Sequence, residues 1–326
     1  MLAPESRGDL AGAAPAQLVR AANVARRFFI DGRSKSEIAE EFGLSRFKVA
    51  RILDEARATG IVRIEISLPA GLDARLADEL RQAFGLRHAI VVDTPEQPEV
   101  LMRQELARAA AALLGEIVTD DDVLGVGYGR TLTVMAETLH LPACPVVQLT
   151  GALLGVNMSE NSVELVRQIS ARSGGRPYSM YTPQVLPDIK TAALLRQQPE
   201  VAEAHRMFDR VTKAVVAVGS WSPPHSQLYD ALTERARATL LRKGAIAEVC
   251  AVLLDRAGNQ VAADFTDRCI SVRGEQLRQV AEVVAVAGGT VKSGAVHAVL
   301  NGGWATSLIA DTSLATALLT GRSQEQ

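Results

Sequence analysis

Two groups of residues in this 326-residue chain have the types and spacing to seize a phosphate. The first lies in residues 34–53, SKSEIAEEFGLSRFKVARIL. Arg46 and Lys48 occupy what reads as the first turn of a helix, with Ser45 before them as its cap and Arg51 following. Lys35 stands at the start of the preceding helix. The N-terminal end of a helix carries a partial positive charge, so cations there cost ~0.3–1 kcal/mol unless an outside anion compensates. A DNA phosphate is such an anion, and a helix-turn-helix presents the start of its second helix to the major groove. Phe47, among these cations, either touches a thymine methyl or packs on its own scaffold. A solvated helical hairpin is the alternative for the whole segment.

The second group is scattered over loops that fall at strand ends, where ligands sit in open α/β sheets. Gly125-Val-Gly-Tyr-Gly-Arg-Thr131 joins a strand to a helix. Gly127 and Gly129 let the backbone approach a ligand, the helix start offers free N–H groups, and Arg130 and Thr131 add a guanidinium and a hydroxyl. Gly151 forms part of a second, weaker loop. Glu248 interrupts an apolar stretch at a strand start and could accept hydrogen bonds from sugar hydroxyls, or be a surface charge. Lys292 follows Gly288-Gly289 and suits a phosphate or sugar oxyanion, or is a solvated helix residue. The glycine loop is neither a Walker A sequence nor a dinucleotide fingerprint, so no nucleotide cofactor is expected.

The elements that must position these residues are legible in outline. Ser34 and Glu37 have the spacing of a capping box, Ile38, Ala39 and Phe42 share a face, and Gly43 breaks the helix. Val49, Ile52 and Leu53 face the same core, and residues 18–30 supply a helix beneath them. Residues 61–68 alternate as a strand would and could form a small wing, with a linker at 69–71. Beyond it come a helix at 72–84 and a strand at 88–93. Further strands are expected at 123–126, 146–149, 213–218, 249–254, 283–287 and 306–310, with helices between several of them. Short apolar runs separated by helices give a mostly parallel, buried sheet. The division expected is a disordered tail at 1–17, a winged-helix-like helix-turn-helix domain at 18–68, and a larger α/β ligand and oligomerisation domain at 69–326.

Composition narrows the classes. Hydrophobic residues make up 48% and aromatics 4%, enough for a large aliphatic core. The net charge of −2 hides an excess of three cations in residues 18–66, the polarity of a DNA-binding head on an acidic body. Cys144, Cys250 and Cys269 are odd in number and lack C-x-x-C spacing, so free thiols in the cytoplasm are expected. No secretion signal or membrane span is read. His88, His140, His205, His225 and His297 have no metal-ligand spacing. Trp221 and Trp304 fall near the expected ligand crevice, and Asp311 lines it or caps a helix.

Four segments carry a resemblance: GLSRFKVARILDEARATGIVRIEI at 43–66, GVGYGRTL at 125–132, GAIAEVCAVLLDRAG at 244–258 and the stretch from GGTVKSGAV at 288 to 319. Together they make the chain similar to the SorC family of bacterial transcriptional regulators, over residues 18 to about 320. The resemblance implies an N-terminal helix-turn-helix and a C-terminal domain of the phosphosugar isomerase-like type that binds a phosphorylated sugar or polyol as effector. On it, Arg130 and Thr131 match phosphate-loop positions, Gly151 matches the glycine of the next loop, and Glu248 and Lys292 match ligand-contacting positions. Thr150 stands where some members have arginine, which implies a single phosphate. The partners expected are operator DNA, the effector, and further copies of the chain in a dimer or tetramer. A sugar-phosphate isomerase or deaminase using Glu248 as base is the alternative.

Overall fold

The computed structural model describes residues 14–64, 71–94, 98–153 and 161–323. The chain forms two compact units that part between residues 67 and 68.

Among its described residues the smaller unit contains three helices, α1 (Pro15–Phe29), α2 (Lys35–Phe42) and α3 (Arg46–Ala58). Helix α1 begins inside the stretch expected to be a disordered tail, because Pro15 occupies the first helical position, where its missing N–H costs nothing. Residues 1–13 lie outside the described residues. Ser34 Oγ accepts from the Glu37 amide at 3.3 Å while Glu37 Oε2 accepts from the Ser34 amide at 2.8 Å, completing the capping box. Gly43 terminates α2 in the left-handed region at φ 63°. Ala21, Val24 and Ala25 of α1 meet Ile38 and Ala39 of α2 and Val49, Ile52, Leu53 and Ala56 of α3 in one core. The wing expected at 61–68 finds no strand at 61–64, and its remainder, like most of the linker, lies outside the described residues.

The larger unit is a mixed α/β structure built on two sheets. Among the described residues its strands are β1 (His88–Val92), β2 (Leu124–Val126), β3 (Val146–Gln148), β4 (Pro177–Tyr178), β5 (Lys213–Ala217), β6 (Gly219–Trp221), β7 (Pro224–His225), β8 (Ala247–Val249), β9 (Val252–Leu254), β10 (Gln260–Val261), β11 (Glu282–Val286) and β12 (Ser307–Asp311). Seven of them form a sheet in the order β1-β12-β11-β5-β2-β3-β4, every pairing parallel. Alternate residues serve opposite faces. Val215, Val284 and Ile309 join the core under helices α5 (Glu99–Ile117) and α6 (Arg130–Thr138), whose preceding helix α4 (Ala74–Phe84) lies with the other face. Ala214, Val216, Ala285 and Leu308 join that second core, which includes Val296 and Val299 of the helix Ser293–Asn301. Burial on both faces is why these strands read as continuous apolar runs.

The other five strands make a separate antiparallel sheet, β10-β9-β8-β6-β7, which the sequence reading did not foresee. The single strand expected at 249–254 is a hairpin: Cys250 and Ala251 both take positive φ, 50° and 66°, and turn β8 into β9. Non-glycine residues there are uncommon, so the sequence carries no turn signal at this point. Among the described residues, no helix is long and apolar enough to cross a membrane.

Candidate functional site

On the smaller unit, the residues of the first group are all exposed. Ser45 Oγ accepts from the Lys48 amide at 3.2 Å, which starts α3 where expected, and the first turn of α3 holds no acid. Phe47 is 81% exposed and outside the core, so it does not pack on its scaffold. The Arg46 guanidinium lies 6.0 Å from the centre of its ring, and Lys35 Nζ lies 5.7 Å from that of Phe28. Together the starts of α2 and α3 bound an open groove lined by Ser34, Lys35, Arg46 and Phe47. Arg51 is partly engaged by Glu55, Nε to Oε1 at 2.9 Å. On the neighbouring surface, Arg27 and Arg33 both pair with Glu41.

On the larger unit, a cavity opens where the carboxyl ends of β2, β5 and β11 meet the antiparallel sheet. Its wall holds Gly129, Arg130, Thr131, Glu248 and Lys292, five of the seven residues expected to hold an effector. Gly127 and Gly151 are not among the lining residues. A Cβ at Gly127 would lie 3.3 Å from Cys250 Sγ, and one at Gly151 would lie 2.8 Å from the Thr182 carbonyl. Both glycines accommodate close packing of the chain on itself.

The geometry gives each wall residue a distinct character. Gly129 starts α6 without a side-chain cap, so the first N–H groups of that helix can donate to an anion that also meets the Arg130 guanidinium. A Cβ at Gly129 would stand 2.7 Å from that of Ala217, so only glycine lets the loop approach β5 so closely. Lys292, on a short 3-10 turn after β11, is half-buried and donates from Nζ to the Val218 carbonyl at 2.8 Å. Burial lowers its pKa to about 8, partly offset by Glu248. Asp311 settles on the capping role: its carboxylate accepts from the Ser313 amide at the next helix and from the Gly289 amide at 2.7 Å, which steadies the turn carrying Lys292.

Glu248 is the least exposed charged group there, at 5%. It was expected at a strand start beside a loop and lies instead in the middle of β8, opposite Gly219 of β6. A Cβ at Gly219 would fall 2.5 Å from the Glu248 side chain, so that glycine makes room for the carboxyl. Ser226 Oγ donates to Glu248 Oε1 at 2.6 Å. Burial raises the Glu248 pKa to about 7, against the opposing pull of Ser226 and Lys292. The other carboxylate oxygen and the Tyr128 hydroxyl are buried with no hydrogen-bond partner.

Other wall residues were missed in the sequence, among them Glu99, Arg103, His225 and Ser226. Glu99 and Arg103 of α5 pair at 2.5 Å, and His225 Nε2 lies 3.8 Å from Glu99 Oε1. Burial, then Lys292, lowers the His225 pKa. Only the fold brings α5 and β7 to this cavity, and no local motif marks them. Trp221 and Trp304, expected near the crevice mouth, are 1% and 2% exposed and belong to the hydrophobic cores. Trp304 Nε1 donates to the Gly258 carbonyl at 2.7 Å.

A family model described as a putative sugar-binding domain matches residues 69–320. The chain belongs to that family. The chain is similar to an uncharacterized transcriptional regulator of Escherichia coli (strain K12), YjhU, 30% identical over 303 residues that cover 90% of this chain and 92% of that protein. The deoxyribonucleoside regulator of Bacillus subtilis (strain 168) is 27% identical over 299 residues, 90% of this chain and 95% of that protein. The full-length sorbitol operon regulator SorC from Klebsiella pneumoniae shares the fold, with a TM-score of 0.72 at 21% identity, over 93% of this chain and 99% of that one. The SorC-type resemblance drawn from the four motifs therefore stands.

Proposed function

We propose that this member of the sugar-binding family is a DNA-binding transcriptional regulator of a carbohydrate or polyol catabolic operon. A phosphorylated sugar or polyol controls it. The observation that carries the reading is the cavity's division of labour. Arg130, Lys292 and the uncapped start of α6 are suited to a phosphate, and the buried Glu248 carboxyl is suited to hydroxyls. The smaller unit serves as a helix-turn-helix, with α3 as its recognition helix and Lys35, Ser45, Arg46, Phe47, Lys48 and Arg51 at the DNA. The larger unit is a phosphosugar isomerase-like domain put to binding rather than turnover. The protein works in the cytoplasm as a dimer or tetramer, since paired half-sites need at least two heads.

Control requires the effector to bind one arrangement of the subunits more tightly than another. The test is anisotropy of labelled DNA from the region upstream of the regulator's own operon, with and without phosphorylated sugars and polyols. An effector should shift the DNA affinity of the wild type, whereas Lys292→Met should bind the same DNA and ignore it. A panel that leaves DNA affinity unmoved refutes effector control. One observation favours the isomerase alternative: Glu248 has a pKa of about 7, suited to a proton-transfer base. Steady interconversion of an aldose phosphate by the purified protein would select that reading.

A further inference from the structure

The inner end of the cavity holds an accumulation of unmet hydrogen-bonding capacity. Glu248 Oε2 and the Tyr128 hydroxyl, both on the wall, are buried without partners. Behind Tyr128, Gln184 is wholly buried, and neither its amide oxygen nor its amide nitrogen has a partner. Tyr128 stands between the two, near enough for hydrogen bonding to Gln184 and Glu248 to bear on the ionisation of its hydroxyl and of the Glu248 carboxyl, yet no contact among the three reaches good hydrogen-bond geometry. Buried polar groups in native proteins are nearly always satisfied, so a run of three such side chains, two facing a cavity, is suited to a polar ligand.

We propose that Tyr128, backed by Gln184, forms with Glu248 a hydroxyl-recognising floor, so that the ligand is a phosphate ester whose polyhydroxylated end enters first. This rests on the effector-binding reading above. A hydroxyl both donates and accepts, so one ligand hydroxyl can donate to Glu248 Oε2 and accept from Tyr128, whose own oxygen then accepts from Gln184. A phosphate or carboxylate end brings acceptors and negative charge, and Glu248 opposes it. Arg130, exposed at the start of α6, meets the phosphate end of the same ligand, and Lys292, whose ammonium feels both Glu248 and Arg130, stands between the two ends. Tyr128 thus sets specificity for the tail and leaves phosphate binding to Arg130 and Lys292.

Calorimetry on the full chain tests this with five probes: inorganic phosphate, n-butyl phosphate, erythritol 4-phosphate, ribitol 5-phosphate and free ribitol. The wild type should bind at least one polyol phosphate about tenfold or more tightly than n-butyl phosphate, the discrimination typical of a site that leaves buried polar groups unpaired by the wrong ligand. Tyr128→Phe should bring that ratio close to unity while binding of inorganic phosphate stays the same. A wild type that does not distinguish the two esters overturns the proposal without any variant, as does a Tyr128→Phe chain that keeps the full ratio. If free ribitol binds as tightly as its ester and inorganic phosphate does not bind, the phosphate reading fails. In that case a loss of ribitol affinity in Tyr128→Phe still upholds the floor. Absence of binding by all five overturns both.

Discussion

Replacing Glu248 by glutamine should stabilise the larger unit, and more so as pH rises. Glu248's pKa is raised from 4.5 to about 7, so the folded chain holds a proton that the unfolded chain has released. The sign follows from linkage: stability is fully present below the unfolded value and is lost as pH rises through the folded one. Between about pH 5 and pH 7.5 this group alone removes roughly 2–2.5 kcal/mol from the wild type. Glutamine does not titrate and keeps the shape of the side chain, including an oxygen for Ser226. The difference between the two proteins should therefore widen by that amount over the window, whatever constant offset the substitution brings. Lys292 titrates at about 8 with the Glu248 charge beside it; removing that charge lowers the lysine's pKa further, which adds to the widening at the upper end of the window. Urea unfolding followed by tryptophan fluorescence is the assay, because the chain's two tryptophans, Trp221 and Trp304, both lie in the larger unit. Curves that run parallel, with the difference changing by less than about 1 kcal/mol, would show that Glu248 is not held in a low-dielectric environment.

Three further outcomes are expected. Arg46→Ala and Lys48→Ala should each weaken operator binding and lower the slope of log affinity against log salt by about one, with Arg51→Ala milder because Glu55 already engages it; unchanged slopes would remove α3 from the interface. Ser34→Ala should cost the smaller unit about 1 kcal/mol, seen as faster amide hydrogen exchange in α2, and undiminished protection would show the capping box to be idle. Gly151→Ala should destabilise the larger unit by about 1–3 kcal/mol in urea, since the new methyl group meets the carbonyls of Thr182 and Pro183 at 2.8 and 2.9 Å. A Gly151→Ala protein of normal stability but poor effector affinity would instead put Gly151 at the ligand.

What the sequence disclosed follows from how far apart the cooperating residues lie. The capping box at Ser34 and Glu37, the left-handed stop at Gly43 and the cap at Ser45 are local events, each settled within four residues, and the helices start and stop where those residues require. Six of the seven parallel strands were legible because both faces are buried, which leaves apolar runs such as Val283 to Val286 uninterrupted; the two-residue, partly exposed β4 at the sheet edge carries no such run. The same uniformity concealed the hairpin at Cys250 and Ala251, where two small apolar residues turn the chain with no glycine, asparagine or proline to mark it. With that turn unread, β8 and β9 merged into one strand, the second sheet vanished, and Glu248 seemed to stand at a loop. Glu99, Arg103 and His225 were invisible for a different reason. They reach the cavity from α5 and β7, and only the folded chain brings those elements together.

One residue, Val218, separates the last residue of β5 from the first of β6, so the parallel and antiparallel sheets are consecutive stretches of one strand bent at a single joint. Its carbonyl is the one that Lys292 holds. An ammonium group has three hydrogens to give, and one is spent on this joint. Any anion that draws on the remaining two pulls on the same nitrogen that braces the bend. The lysine therefore acts as a tie-rod, and its load is shared between a ligand on one side and the angle between two sheets on the other.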